Sequence, residues 1–157
     1  MKNELNEQQV FQKLATLCAH AEHCQWEMLE KMRQWGIDDE VQARIMARLV
    51  GERYVDDHRY AEAFVRDKVR YNQWGRRKVE QALWMKHIDS DIAREALDSI
   101  DNEEYINMLK PMLKQKRRSI KANSDYECNM KLMKWALGRG FTMDIVRQCI
   151  EIEGEDD

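Results

Sequence analysis

Residues 28–49 read MLEKMRQWGIDDEVQARIMARL, and the middle of that stretch decides the fold. Apolar residues recur through Met28, Leu29 and Met32 at the period of an amphipathic helix. Gly36, Ile37 and Asp38 follow at once. A helix commonly ends at a left-handed residue, usually glycine, whose apolar successor folds back onto the last turn. That geometry places Ile37 on Met32. Asp38 then stands where a side-chain oxygen caps the next helix, and Glu40 lies in its first turn, where a negative charge meets the positive end of the helix dipole. The stretch predicts helix, tight turn, helix.

Working outward, the layout recurs in VEQALWMKHIDSDIAREALDSI (79–100) and LMKWALGRGFTMDIVRQCIEIE (132–153), so that Gly36, His87 and Gly140 follow one another after 51 and then 53 positions. The same logic sets Ile88 on Leu83 and Phe141 on Ala136, gives Asp89 and Thr142 the capping role, and puts Asp91 and Asp144 in the following first turns. His87 takes the glycine position at some cost, because a side chain is crowded at positive φ. A longer helix precedes each pair, over 7–22, 56–71 and 102–120. The expected architecture is all-α: three tandem three-helix units, residues 1–54, 55–100 and 101–157, stacked as an elongated, curved array. Pro111 falls within the third leading helix and is expected to kink it or mark a new start.

Composition agrees with this class. Of 157 residues 35% are charged and one is proline, which permits helix nearly throughout. No stretch approaches the roughly 18 to 20 apolar residues of a membrane helix, and the polar beginning MKNELNEQQV offers no signal-peptide core. The expectation is a cytoplasmic protein without membrane contact. The four cysteines, Cys18, Cys24, Cys128 and Cys149, form no CxxC pair and read as small, partly buried thiols. CAHAEHC (18–24) offers two cysteines and two histidines, but at about 100° per residue His20, His23 and Cys24 share a face while Cys18 points away. No second ligand pair follows, so no metal or cofactor is expected. Cys24 with Glu27 reads instead as a capping box at a helix junction. No phosphate loop, nucleophile elbow or paired His–Cys set appears, and Asp38–Asp39 and Asp56–Asp57 are explained by capping. No catalytic role is expected.

The net charge is −3, yet it is distributed in blocks. Residues 66–86 hold seven basic and two acidic side chains, 87–109 one and seven, 110–121 six and none, and the tail after Ile150 adds five acids. With Asp56 as cap, the helix to Tyr71 carries Tyr60, Ala61, Phe64 and Val65 on one side and Arg59, Arg66 and Arg70 as a stripe opposite. A stripe of this kind is a solvated face or a binding face. Arg76, Arg77 and Lys78 lie in the first turn of the next helix, where cations oppose the dipole by about 0.3 to 1 kcal/mol each. An anion, phosphate or carboxylate cluster, docked at that helix start would make sense of the placement. Trp74 beside it is core or contact. The run Lys114, Lys116, Arg117, Arg118 and Lys121 lies near a helix C-terminus, where the dipole favours it, and carries less functional weight.

YVDDHRYAEAFVRDKVRYNQWGRRKVEQALWMKHI (54–88) resembles the hallmark of the RecX family of bacterial recombination regulators: an Asp-Asp-x-Arg-aromatic-Ala start, a basic helix, a glycine, and a second basic helix ending before isoleucine. The resemblance extends more weakly through EHCQWEMLEKMRQWGI (22–37), and to the third unit only in outline. It implies a non-enzymatic modulator of RecA that lies in the groove of the RecA filament on single-stranded DNA and limits its growth or activity. The matching positions are Asp56, Asp57, Arg59, Tyr60, Ala61, Arg66, Lys68 and Gly75, with the aspartates, Tyr60, Ala61 and Gly75 as structural members. The candidate binding residues are then Arg59, Arg66, Lys68, Arg70, Arg76, Arg77 and Lys78. The expected partners are the RecA filament and the DNA within it, met by a monomer. Ala21 and Cys24 depart from the family's usual Arg and Ser, and so does the acidic tail. The competing reading, a helix-turn-helix protein that binds duplex DNA, requires recognition helices that here begin acidic, at Asp39, Asp91 and Asp144.

Overall fold

The computed structural model describes residues 5–155, with side chains described through Ile150. The acidic tail therefore lies outside the described side chains. Among the described residues there are nine helices and no strand: α1 (Glu7–His20), α2 (Gln25–Gln34), α3 (Asp39–Gly51), α4 (Asp57–Arg70), α5 (Arg76–Met85), α6 (Ser90–Asp98), α7 (Asn102–Arg117), α8 (Asp125–Gly138) and α9 (Met143–Glu155). No helix among them is long and apolar enough to cross a membrane. The chain forms two compact units, Met1–Phe64 with Leu83–Ala93, and Val65–Ala82 with Arg94–Asp157.

In the first unit, α1 and α3 present apolar residues at helical spacing: Val10, Phe11 and Leu14 on one, Ile45, Met46 and Leu49 on the other. Met28 and Met32 of α2 and Val55 complete that core, in which each fully buried side chain contributes on the order of 2 kcal/mol. The buried polar side chain of Gln42 donates from Nε2 to the Ile37 carbonyl at 2.7 Å and so satisfies an oxygen of the α2–α3 turn. Asn6 caps α1 reciprocally with Gln9. In the second unit α7, α8 and α9 pack on one another, with Leu109, Leu113, Leu132 and Val146 fully buried and Tyr105 edge-on to Phe141 at 6.4 Å between ring centroids.

The repeated junction has the predicted geometry at all three places. Gly36, His87 and Gly140 hold φ of 70°, 57° and 97°. The amides of Ile37, Ile88 and Phe141 donate back to the carbonyls of Met32, Leu83 and Ala136 at 3.0, 3.2 and 3.2 Å. Two further helix ends close through left-handed residues that the sequence does not mark, the first with the same five-residue span and the second with a wider, six-residue one. Arg53 (φ 64°) lets Tyr54 donate to Leu49, and Gln73 (φ 56°) lets Trp74 donate to Lys68.

Capping follows the expectation in part. Asp89 Oδ1 accepts from the Asp91 amide at 2.9 Å and Thr142 Oγ1 from Ile145 at 3.4 Å. Asp38 occupies the capping position without a side-chain bond to the helix, so the first repeat gains only its dipole term. Pro111 does not begin a new helix: α7 runs through it from Asn102 to Arg117. Proline removes one amide donor there, and burial of Leu109 and Leu113 on either side of it holds the helix together.

Candidate functional site

The Asp-Asp start of α4 has two separate jobs. Asp56 Oδ1 accepts from the amides of His58 and Arg59 at 2.9 and 3.2 Å and so caps its own helix. Asp57 reaches away and accepts from the Gln25 amide at 2.9 Å, capping α2. Burial pushes the Asp57 carboxyl up, and the Gln25 hydrogen bond opposes that. Ala61 is fully buried, Tyr60 nearly so, and burial pushes its phenol up.

Arg59 departs from the expected open stripe. Its Nε meets Glu22 Oε1 at 2.6 Å, and its Nη2 donates to the carbonyls of Arg53 and Tyr54 at 3.1 and 3.2 Å. The hydrogen bond with Glu22 also raises its pKa. Three acceptors organise this guanidinium within the first unit, where it closes the end of α3.

In the second unit, Val65 and Val69 of α4 are fully buried while Arg66 and Arg70 lie exposed on the other side. Arg70 Nε meets Glu104 Oε1 at 2.9 Å, a hydrogen bond that raises its pKa. Arg66 meets its neighbour Asp67 at 4.0 Å. The loop after α4 is tightly tied. The Gly75 amide donates to the Arg139 carbonyl at 3.0 Å, Arg77 to Gly140 at 2.9 Å, and Arg139 Nη2 to the Asn72 carbonyl at 3.2 Å. A Cβ on Gly75 would sit 2.2 Å from the Phe141 nitrogen, and one on Gly140 would sit 2.4 Å from Lys78 Cβ. The two glycines allow backbone to lie against backbone.

That contact corrects the expectation of an anion at the start of α5. Carbonyls of Arg139 and Gly140 already occupy two of the amides an anion would use. What stays outward is the side chains. Arg76 pairs with Asp98 at 2.7 Å, whereas Arg77 and Lys78 are exposed. Lys68 and Lys78 hold their ammonium groups 5.0 and 4.6 Å from the Trp74 ring centroid, so the half-buried Trp74 serves as a seat for cations. The structure thus gathers Arg66, Lys68, Arg70, Arg76, Arg77 and Lys78 within the second unit and engages Arg59 in the first.

The second basic run is internally engaged. Arg117 Nη2 donates to Asn129 Oδ1 at 2.8 Å, and Lys116 lies 5.6 Å from the Trp135 ring centroid. In the cysteine–histidine stretch, the Cys18 thiol faces Met28 sulfur and the buried Cys24 thiol faces the Lys86 carbonyl, each at 3.8 Å. Glu27 accepts from the Cys24 amide at 3.1 Å and meets Lys86 at 3.2 Å. Burial pushes the Glu27 carboxyl up, but these partners prevail and leave its pKa below the ordinary value. No group of three or more metal-ligating side chains occurs among the described residues.

Sequence reasoning missed Glu104, Asp98, Arg139 and Gly140 as members of this site. For the two acids a signal existed, because the acidic block 87–109 follows the basic block 66–86 and supplies its counter-charges. For Arg139 there was none, since its role rests on a main-chain carbonyl 67 positions away.

Two family models match the sequence: "RecX, second three-helix domain" over residues 56–97 and "RecX, third three-helix domain" over residues 103–150. The chain belongs to the RecX family. A regulatory protein RecX of Clostridium botulinum (strain Alaska E43 / Type E3) is 30% identical over 124 residues, spanning 78% of this chain and 58% of that protein. The one of Bacillus cytotoxicus is 24% identical over 125 residues, spanning 80% and 46%. The chain thus spans about half the length of these curated relatives. In fold it is similar to the crystal structure of RecX from Lactobacillus salivarius, with a TM-score of 0.87 at 20% identity over 92% of this chain and 94% of that one. A second crystal structure, of regulatory protein RecX, gives a TM-score of 0.83 at 18% identity. The matched second domain contains the whole cationic surface from Arg66 to Lys78.

Proposed function

We propose that this RecX-family chain modulates the RecA recombinase by binding its filament on single-stranded DNA, limiting filament assembly and activity in recombination and DNA repair. It acts without catalysis, as a cytoplasmic monomer, through a surface formed by Arg66, Lys68, Arg70, Arg76, Arg77 and Lys78, and its units are residues 1–54, 55–100 and 101–157. One observation carries this reading: Arg77 is exposed in the first turn of α5, against the helix dipole, while the fold supplies acids for Arg70 and Arg76 and the Trp74 ring for Lys78. Stability alone does not explain that placement, and an anionic nucleoprotein surface does. The wild-type affinity is expected to fall as salt rises.

RecA ATPase and filament assembly on single-stranded DNA, measured with and without the protein, test the proposal. Replacing Arg66, Arg70, Arg76 and Arg77 by Ala is expected to abolish modulation at concentrations where the wild type is active, with helicity retained. Wild-type modulation by that variant, or none by the wild type, would overturn it.

A further inference from the structure

Tyr71 is 82% exposed, the most exposed large hydrophobic residue among those described. Nothing in the fold explains it. It stands at the head of the loop 71–75, whose backbone is fixed from both ends: Tyr71 donates to Asp67 at 2.9 Å, Trp74 to Lys68 at 3.1 Å and Gly75 to Arg139 at 3.0 Å, while Arg139 holds the Asn72 carbonyl. Gln73 accepts a left-handed φ of 56° to complete the turn. A ring that serves no core is therefore displayed from a rigid loop, and binding it costs little ordering entropy. The same loop carries the Trp74 seat, with Lys68 and Lys78 ammonium groups held at its ring, and Arg70 and Arg77 flank it in sequence.

We propose that loop 71–75 contacts single-stranded DNA directly, with a base stacked on Tyr71 and the neighbouring backbone phosphates met by Lys68, Arg77 and Lys78. Cations alone fit any acidic partner. An open π-face beside them fits an unpaired base, which offers a flat ring and a phosphate one nucleotide apart. A duplex hides those faces inside its stack, so the loop discriminates against it. This inference rests on reading the surface as the nucleoprotein-binding face, and it adds that the strand itself is touched.

The test is fluorescence anisotropy of a labelled oligothymidylate titrated with the full chain at low salt, without RecA. The wild type is expected to bind, and to bind a duplex of equal length more weakly. Tyr71→Ala is expected to weaken binding to the single strand by roughly five- to a hundredfold, with an unchanged melting temperature because the ring is exposed. Tyr71→Phe, which keeps the π-face and loses the hydroxyl, is expected to restore it. If the wild type does not bind the oligonucleotide, or Tyr71→Ala binds as well as the wild type, the inference fails, and RecA ATPase modulation still decides the wider proposal separately. If Tyr71→Ala loses modulation of RecA while neither protein binds the oligonucleotide, the ring meets protein and the inference is equally overturned.

Discussion

The second unit contains two basic runs of similar size, residues 66–78 and 114–121, and the fold treats them differently. The later run closes α7, where Lys114, Lys116 and Arg117 sit at the negative end of the helix dipole, and Arg117 reaches Asn129 while Lys116 covers Trp135. Each of those cations improves the fold it belongs to. The earlier run sits partly at a helix start, where the dipole repels it, and although Lys78 covers Trp74 as Lys116 covers Trp135, its Arg66 and Arg77 extend outward. Charge count is nearly the same in the two runs. What separates them is whether the tertiary structure benefits, and that is the better sign of a binding role.

The largest effect expected is on the scaffold that holds the first run in place. Gly75→Ala puts a Cβ 2.2 Å from a main-chain nitrogen, an overlap no side-chain rotation relieves. It is expected to destabilise by about 3 kcal/mol or more, read as a large fall in melting temperature. Gly138→Ala, in α8 with nothing within 4 Å of the new methyl, is expected to stabilise by about 0.5 to 1 kcal/mol. Equal effects of the two would remove the close approach from the account.

The contrast between the runs is sharpened by paired variants. Arg66→Ala with Arg77→Ala is expected to weaken modulation of RecA about tenfold, or about 1.4 kcal/mol, with little change in melting temperature. Lys116, Arg117 and Arg118 replaced by Ala are expected to do the reverse. Greater damage to RecA modulation from the Lys116, Arg117 and Arg118 set than from the Arg66 and Arg77 pair breaks the comparison.

Single changes give smaller effects. Arg117→Ala leaves Asn129 without its donor and is expected to cost about 1 kcal/mol of stability in chemical denaturation. Arg77→Glu places an acid where the dipole favours one. It is expected to raise stability by about 0.5 kcal/mol at low ionic strength, less as salt increases, while weakening RecA modulation severalfold. A destabilised Arg77→Glu would mean the fold needs that cation, and the argument from its placement would fail.

Much of this was legible beforehand because it is local. Gly36, His87 and Gly140 specify left-handed helix ends through φ alone, and each needs only an apolar residue after it and an oxygen shortly beyond. Asp56 could be assigned as a cap for the same reason, since its partners lie two and three residues away. The left-handed helix ends at Arg53 and Gln73 were not legible, because neither residue prefers positive φ and the surrounding packing imposes it. Nor was the fate of Arg59, which by helical phase belongs on an open stripe and by contact belongs to Glu22 and two carbonyls.

By itself the sequence determined the helical class, the threefold junction and the region that concentrates positive charge, because helix periodicity, capping and charge are properties of neighbours a few residues apart. The tertiary structure alone decided which cations remain available. Arg59, Arg70 and Arg76 are met by Glu22, Glu104 and Asp98, between 22 and 37 positions away. The start of α5 is sealed by the Arg139 and Gly140 carbonyls from the α8–α9 turn. Coulomb attraction and hydrogen bonding act through space over a few ångströms, so their outcome is fixed only once distant segments have been brought together by burial.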